Sequence, residues 1–391
     1  MKCKVSKICG GCNLLHLDYE KQIQEKKNNV EALLKRNRLK LQIGNVYKAN
    51  RIKGYRNKII VGFAKYKGKV VSGLYAPHSH AVVATKNCLM HPRNVDAIIG
   101  RITELVDSMK IELYNEKTGT GLLRHVLIRY ASQTNQVMIV FVTAKRAFPS
   151  RRNLVNALVS EFKEIKTILQ SVNPRNTSVV LENEAFVLYG DGTITDKLCG
   201  LDFTMGANTF YQVHHDQCEL LYKVAKEKLQ LQGQETVLDT YCGIGTIGLS
   251  LADSCKMVTG VEINADSIGF AKENAKQNRI KNARFVSMDS TRFMEEAKKH
   301  HTHFDVIVLD PPRAGTTPTF IENACALRPK KILYISCDPR SLVRDLHLFF
   351  RQGYKAKSMD LVDMFPNTTN VETVVLLSHK KPDGHINVKV E

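Results

Sequence analysis

The spacing of apolar and polar residues divides the chain into two halves of different character. Between about residues 50 and 200, short apolar runs at 58–63, 69–74 and 136–142 are separated by Gly, Pro and Asn and predict strands. Apolar residues at helical spacing predict helices at about 18–37, 94–109 and 150–164. Because helices and strands alternate irregularly here, we interpret residues 1–200 as a mixed α+β domain.

The second half has a more regular pattern. Five apolar runs alternate with helical stretches, and they lie at 236–239, 257–262, 304–310, 331–336 and 371–377. Continuous apolar strands with helices between them are typical of a parallel sheet that is covered on both faces. The fold class is therefore α/β, and we predict a Rossmann-like domain at 201–391 that follows the α+β domain.

The net charge is concentrated in the first half. The chain has 57 Lys and Arg against 38 Asp and Glu, a formal charge of +19. Residues 1–200 contain 33 basic and 15 acidic side chains, whereas residues 201–391 contain 24 and 23. A polycationic half favours a polyphosphate ligand such as RNA, because binding releases condensed counterions. Solubility or contact with an anionic membrane would also explain the charge.

The apolar runs are too short to span a bilayer, which needs about 20 residues. Residues 1–7 also lack the apolar stretch of a secretory signal. We therefore expect a cytoplasmic protein without a membrane partner, and no obligate protein partner is evident. In that compartment, ten cysteines favour metal, cluster or nucleophile roles over disulfides.

A glycine-rich loop follows the first strand of the predicted Rossmann-like domain. It has the spacing Gly243-x-Gly245-x-x-Gly248, and Glu262 ends the next strand, where an acid binds ribose hydroxyls. This pattern fits NAD or S-adenosylmethionine, and a merely tight turn is a weaker alternative. Asp239 lies four residues before Gly243, a spacing typical of S-adenosylmethionine methyltransferases. The loop therefore favours S-adenosylmethionine.

Two residues near strand ends suggest a particular methylation chemistry. Cys337 follows a strand and precedes a helix that begins with Pro339, whose N-terminus would stabilise a thiolate. Alone, Cys337 would be a core residue and Glu372 a surface carboxylate. Together they suit methylation at C5 of uracil: a thiolate adds at C6, C5 becomes nucleophilic, and a base removes the C5 proton. Arg313 in Asp310-Pro311-Pro312-Arg313 replaces the aromatic residue of amine-directed methyltransferases, which disfavours an amine target.

These motifs occur in the order found in the RNA (uracil-5-)methyltransferase family, which the chain closely resembles. The motifs are Phe210-Tyr211-Gln212-Val213, the loop 239–245, Asp310-Pro311-Pro312-Arg313, the run 334–339 and Phe365-Pro366…Val371-Glu372. The resemblance implies Cys337 as nucleophile and Glu372 as base. It implies S-adenosylmethionine contacts from Gln212, Tyr241, Glu262 and Asp310, a base-stacking role for Phe210 and, more weakly, an adenine contact from Asp289. His214, Thr246 and Asn370 depart from residues common in the family.

Four cysteines near the start of the chain have the spacing of a metal or cluster site. Cys3-x5-Cys9-x2-Cys12 is followed by Cys88, a pattern that suits either four-thiolate zinc or an iron–sulfur cluster. The ribosomal branch of the resembled family carries this spacing for a [4Fe–4S] cluster. The resemblance therefore favours a cluster, with a structural or RNA-contacting role.

The resulting hypothesis is S-adenosylmethionine-dependent methylation of C5 of a uridine in 23S rRNA. The alternatives are a tRNA uridine C5-methyltransferase and a noncatalytic RNA-binding iron–sulfur protein that retains a relic fold. Family members often carry an OB-like barrel before the cluster cysteines. Because Cys3 stands at the beginning of the sequence, we expect no such barrel in this chain.

Overall fold

The computed structural model describes residues 2–175, 179–182 and 185–379. Within these ranges the chain forms an eight-stranded sheet, a seven-stranded sheet and a two-stranded hairpin. Residues 380–391, the end of the predicted catalytic domain, lie outside the described residues. None of the described helices has the length and apolar character needed to cross a membrane.

The N-terminal segment packs on the second half of the chain. It contains helices α1 (Ser6–Cys9) and α2 (Tyr19–Arg36) and strand β1 (Gln42–Tyr47). The apolar face of α2, with Val30 and Leu34, is buried in a core shared with the second half. Strand β1 joins the eight-stranded sheet as its edge strand. The sequence assigned these residues to the α+β domain, but in the structure they pack on the second half of the chain.

The middle module contains the seven-stranded sheet, with the strand order β4-β3-β2-β5-β6-β7-β8. Helices α3 and α4 share an apolar core with one face of this sheet, which includes Val126 and Ile139. The three predicted strands and two predicted helices of this region are present. In chain order the elements are β2 (Lys58–Tyr66), β3 (Lys69–Tyr75), β4 (Val82–Ala84), α3 (Arg93–Ser108), β5 (Leu123–Ala131), β6 (Gln136–Thr143), α4 (Arg151–Glu161), β7 (Ile165–Val172) and β8 (Ala185–Tyr189).

A hairpin and a helix connect the module to the eight-stranded sheet. Strands β9 (Ile194–Leu198) and β10 (Leu201–Met205) pair in antiparallel fashion, and α5 (His215–Leu229) follows. The predicted domain boundary at residue 200 falls in the turn of this hairpin. Because β9 contacts the middle module and β10 contacts the catalytic half, the hairpin belongs to both.

The catalytic sheet has the order β1-β16-β17-β15-β14-β11-β12-β13. Strands β11 to β15 are parallel, as predicted, but β17 is antiparallel to both β15 and β16. The prediction of a parallel fifth run is thus wrong, because a short loop returns the chain directly beside β16. The elements are β11 (Thr236–Thr240), α6 (Thr246–Leu251), β12 (Met257–Glu262), α7 (Ala265–Gln277), β13 (Ala283–Ser287), α8 (Ser290–Lys299), β14 (Val306–Leu309), α9 (Pro318–Ala326), β15 (Lys331–Ser336), α10 (Pro339–Arg351), β16 (Tyr354–Val362) and β17 (Glu372–His379).

A buried ion pair joins α2 to the loop between β16 and β17. Lys26 Nζ lies 2.5 Å from Asp363 Oδ1, and it also donates a hydrogen bond to the carbonyl of Phe365. Tyr19 donates a hydrogen bond from its hydroxyl to the other Asp363 oxygen. Since this loop leads to Glu372, the N-terminal helix helps to fix the position of a predicted catalytic residue.

Candidate active site

The predicted cofactor loop lies at the carboxyl end of β11, where open α/β sheets bind ligands. Tyr241, Gly243 and Gly245 have positive φ angles of 62°, 55° and 85°, which turn the chain tightly. The Gly248 amide donates a 2.8 Å hydrogen bond to Asp239. A Cβ on Gly248 would lie 2.8 Å from the same carboxylate oxygen, so this position requires glycine.

Glu262 lies at the end of β12 and faces the glycine loop. Its two carboxylate oxygens accept hydrogen bonds from the amides of Gly243 (3.2 Å) and Asn264 (2.9 Å). The next residue, Ile263, is 68 % exposed, which is unusual for a large apolar side chain. The loop therefore combines an oriented carboxylate with an exposed apolar side chain, as a nucleoside ligand would require.

Strand pairing places Cys337 beside Glu372. Ser336 is the register partner of Thr373 in the antiparallel pair of β15 and β17. The next pair of positions along this ladder consists of Cys337, which directly follows β15, and Glu372, which begins β17. Glu372 is only 2 % exposed, and its Oε2 has no hydrogen-bond partner among the described residues. The sequence predicted both residues, and the fold brings them together from positions 35 residues apart in the chain.

Electrostatic interactions also link Cys337, Glu372 and Asp310. Burial raises the pKa of Cys337 to about 11, and the charges of Glu372 and Asp310 act in the same direction. Burial and the Asp310 charge also hold the pKa of Glu372 well above its usual range. Burial raises the pKa of Asp310 to about 7, although a hydrogen bond from the Gln212 side chain lowers it. A cationic ligand would relieve this crowding of acidic groups.

Arg313 also belongs to the site, although in the sequence it served only as evidence against an amine target. Its guanidinium forms a hydrogen bond with the Cys337 thiol and lowers the pKa of that thiol. It also lowers the pKa of Glu372. Arg313 thus favours the ionised forms of both groups. Its position directly after the Asp-Pro-Pro run was the only signal in the sequence.

The segment that carries Phe210 and Gln212 is held between the two sheets. Arg129 of β5 is buried, and its guanidinium donates hydrogen bonds to the carbonyls of Ala207 (3.1 Å) and Thr209. Asn57 donates a 2.8 Å hydrogen bond to the Gln212 carbonyl. The Phe210 side chain is nevertheless 62 % exposed. An aromatic ring on a hydrogen-bonded backbone segment therefore faces solvent two residues before Gln212.

Two of the departures from the family pattern have local structural roles. His214 caps α5 by accepting a hydrogen bond from the Gln217 amide, and its ring stacks on Tyr55 with centroids 4.6 Å apart. Thr246 shares a 2.7 Å hydrogen bond with the Tyr222 hydroxyl. Asp289, the weaker adenine candidate, caps α8 by accepting from the Arg292 amide.

The four N-terminal cysteines are electrostatic neighbours. Burial and the charges of Cys88, Cys9 and Cys3 raise the pKa of Cys12 to about 12. Such mutual repulsion suits a cationic centre that binds thiolates. In the part of the chain that the structure describes, however, no group of three or more His, Cys, Asp or Glu side chains is arranged to hold a metal ion. The predicted iron–sulfur site is therefore not shown.

The cysteine segment contacts the loop that precedes Glu372. The Leu14 amide donates a 3.0 Å hydrogen bond to the Asn367 carbonyl. The Asn13 side chain exchanges two hydrogen bonds with Thr369, at 3.2 and 3.0 Å. Any group bound by the cysteines would therefore be attached to the wall of the candidate active site.

The glycine loop, the acid after the second strand and the open α/β sheet define a nucleotide-binding α/β fold, the class that includes the S-adenosylmethionine-dependent methyltransferases. The chain belongs to the tRNA (uracil-5-)-methyltransferase family, whose model matches residues 18–380. The predicted membership of the RNA uracil-5-methyltransferases is thereby confirmed. The ribosomal, iron–sulfur branch is not shown by this match.

Similar proteins agree with this family. An "uncharacterized RNA methyltransferase" of Clostridium tetani is 38 % identical over 378 residues, which cover 96 % of this chain and 82 % of that protein. One of Listeria innocua is 38 % identical over 379 residues, covering 97 % and 83 %. The crystal structure of Pyrococcus abyssi tRNA (uracil-54, C5)-methyltransferase with S-adenosyl-L-homocysteine has a TM-score of 0.77 at 26 % identity, covering 94 % of this chain and 85 % of that chain.

Proposed function

We propose that this chain methylates C5 of a uridine in 23S rRNA, using Cys337 as nucleophile and Glu372 as base. The observation that carries the proposal is the register of β15 and β17, which puts the thiol and the carboxylate side by side. Asp310 and Arg313 act electrostatically on both groups from the end of β14. This arrangement suits addition to a pyrimidine followed by proton removal, and a simple amine or hydroxyl methylation would need neither group.

The reaction begins with Cys337, whose thiolate adds to C6 of the uracil ring. The electron pair of the C5–C6 double bond moves toward C5, which then attacks an electrophilic methyl group. S-adenosylmethionine would supply that methyl group, and the electron pair of the broken methyl–sulfur bond would stay on its sulfur as a neutral thioether. Glu372 then accepts the proton from C5, the double bond re-forms, and the Cys337 thiolate leaves. Arg313 supports the first step because it favours the thiolate.

The residues that would hold S-adenosylmethionine lie along the ends of β11, β12 and β14. The Glu262 carboxylate retains lone pairs for ribose hydroxyls beyond those used by the two backbone amides. Ile263 offers apolar surface to the adenine ring. Tyr241, Gln212 and Asp310 would contact the methionine part, and Asp310 would face the sulfonium cation. Phe210 would stack on the target uracil after this base has been flipped out of the RNA stack.

The choice of 23S rRNA depends on the cysteine spacing, which resembles that of the ribosomal branch. A tRNA substrate is the second candidate, because the Pyrococcus abyssi enzyme acts on uracil 54 of tRNA. The test is to delete the gene and to map 5-methyluridine by mass spectrometry in both RNA classes. We expect the modification to disappear from 23S rRNA and to return with the wild-type gene but not with Cys337→Ala. Loss from tRNA alone would contradict the ribosomal assignment and support the second candidate.

We also propose that Cys3, Cys9, Cys12 and Cys88 bind a [4Fe–4S] cluster. Burial and the charges of neighbouring cysteines raise the pKa of Cys9 and of Cys12, and a cationic iron centre bound by the four thiols would relieve this repulsion. His91 lies beside this set, where it forms a hydrogen bond with Cys88 and a 2.7 Å contact with Asp96. The cluster would brace the segment that contacts the loop before Glu372.

Replacing Cys12 with serine is expected to remove this cluster. Wild-type protein purified without oxygen should contain about four iron and four sulfide ions per chain and absorb visible light broadly. The Cys12→Ser variant should retain less than about one iron per chain, because a hydroxyl is a poor ligand for iron in such clusters. Cys199→Ser, which changes an exposed thiol elsewhere, is the matched control and should keep the full content. One zinc ion and no sulfide in wild-type protein would contradict the proposal.

A further inference from the structure

A cavity lies on the middle module, at the end of β2 and β5 that is remote from Arg129. Its volume is about 860 Å³, large enough for a nucleotide. Half of its lining residues are aromatic or basic, and Glu112 and Glu116 also line it, the latter in contact with His80. The other lining residues used below are Lys65, Tyr75, Tyr114, Lys117, Arg124 and His125.

Two buried side chains in this cavity have polar atoms without partners among the described residues. They are Arg124 Nε and His125 Nδ1, and the two residues are only 5 % and 8 % exposed. Arg124 uses Nη1 to donate hydrogen bonds to the carbonyls of Asn173 and Arg175. Because an unpaired buried polar group costs about 1–3 kcal/mol, native proteins seldom leave two together unless a ligand or water satisfies them.

The cavity wall is held in a defined geometry. The Tyr75 hydroxyl lies 2.8 Å from His125 Nε2. The hydroxyl end of the Tyr75 ring packs over Gly62. A Cβ on Gly62 would lie 2.8 Å from this hydroxyl, so the contact depends on glycine. Tyr114 covers the guanidinium of Arg124 at 4.4 Å. Tyrosine rings and guanidinium planes are the surfaces on which proteins stack unpaired RNA bases.

Strand β5 leads from the cavity to the segment that carries Phe210 and Gln212, which Arg129 contacts. His125 and Arg129 lie four residues apart on β5, so their side chains share a face and are separated by roughly 14 Å. Lys58 pairs with Arg129 across the ladder, and no acidic side chain contacts its ammonium group among the described residues. Burial and the charges of Arg129 and Arg56 lower the pKa of Lys58 to about 8. An RNA phosphate would supply the missing anion.

We propose that this cavity binds a second, unpaired nucleotide of the RNA substrate while the target uridine occupies the active site. The base would lie against Tyr114 and Arg124, and the phosphate would contact Lys65 and Lys117 at the exposed rim. This assignment rests on the proposed function, because the RNA must be the one that is methylated. It makes the cavity a determinant of substrate choice that is separate from the catalytic groups.

The test compares a long and a short substrate. The probes are a 23S rRNA transcript and a stem-loop fragment that contains only the mapped uridine. Tyr114→Ala and the double variant Lys65→Glu/Lys117→Glu are expected to raise KM for the transcript at least about tenfold, the effect of one stacked base. kcat should not change, nor should KM for the stem-loop. Tyr114→Phe, which keeps the ring, and Lys163→Glu, an exposed charge change outside the cavity, should behave like wild type.

Filter binding of the transcript without S-adenosylmethionine gives a second readout that does not depend on methylation. Equal transcript affinities and KM values for wild type, Tyr114→Ala and the double variant would overturn the proposal. Binding of UMP or AMP that Tyr114→Ala abolishes, with unchanged transcript affinity, would overturn it too, because the site would then serve free nucleotides. If wild-type protein methylates neither RNA, the proposed function fails, and the filter-binding comparison still decides the role of the cavity.

Discussion

Cys337→Ala is expected to reduce 5-methyluridine formation by at least about 10⁴-fold, the scale seen when a covalent nucleophile is removed. Without the sulfur, C5 of uracil is too weak a nucleophile to attack a sulfonium methyl group. RNA affinity should stay near the wild-type value, since the excess of basic side chains that would contact RNA phosphates lies in the other half of the chain. Single-turnover methylation with a saturating RNA concentration measures the first effect, and filter binding measures the second.

The matched control for this variant is Cys199→Ala. Cys199 is an exposed thiol in the turn of the β9–β10 hairpin. Its charge does not contribute to the pKa shifts of Glu372 or Asp310. Its replacement should leave the methylation rate at the wild-type value. Methylation by Cys337→Ala at more than a hundredth of the wild-type rate would contradict a covalent mechanism, whatever the behaviour of the control.

The residues of the active site that lie in short motifs could be predicted from the sequence. Cys337, Glu372 and Asp310 each stand at the end or beginning of an apolar run, and the carboxyl ends of neighbouring strands meet at one edge of the sheet. Local patterns also located α2, α3 and β6, because their apolar periodicity is strong. What the motifs could not give was the pairing between strands, and hence the contact between Cys337 and Glu372.

Long-range packing explains the remaining differences. Nothing near β1 or α2 indicates that they join a sheet whose next strand, β16, begins at Tyr354. The antiparallel direction of β17 depends on its short connection to β16, because parallel neighbours need a crossover of a dozen or more residues. Arg313 and Arg124 were not predicted because their roles depend on which side chains surround them. A single basic residue in a sequence carries no such information.

Glu372→Gln is expected to trap the enzyme on its RNA. The amide cannot accept the C5 proton, so addition and methyl transfer can occur while elimination of Cys337 is blocked. The product is a covalent adduct that should migrate as a discrete, slower band on a denaturing gel and disappear after ribonuclease treatment. Multiple turnover should fall by about 10²–10⁴-fold, the usual contribution of a general base.

Two comparisons separate this prediction from a structural defect. Glu295→Gln changes an exposed carboxylate on α8 in the same way and should give no adduct and normal turnover. The double variant Cys337→Ala/Glu372→Gln should give no adduct either, because the bond that is trapped runs through the Cys337 sulfur. Omission of S-adenosylmethionine should greatly reduce the adduct, since the methyl group at C5 prevents simple reversal of the addition.

An adduct that persists in the double variant would show that another residue is the nucleophile. Full turnover by Glu372→Gln would mean that the C5 proton leaves to a different base. In that case the contact between β15 and β17 would position the uracil ring without removing its proton.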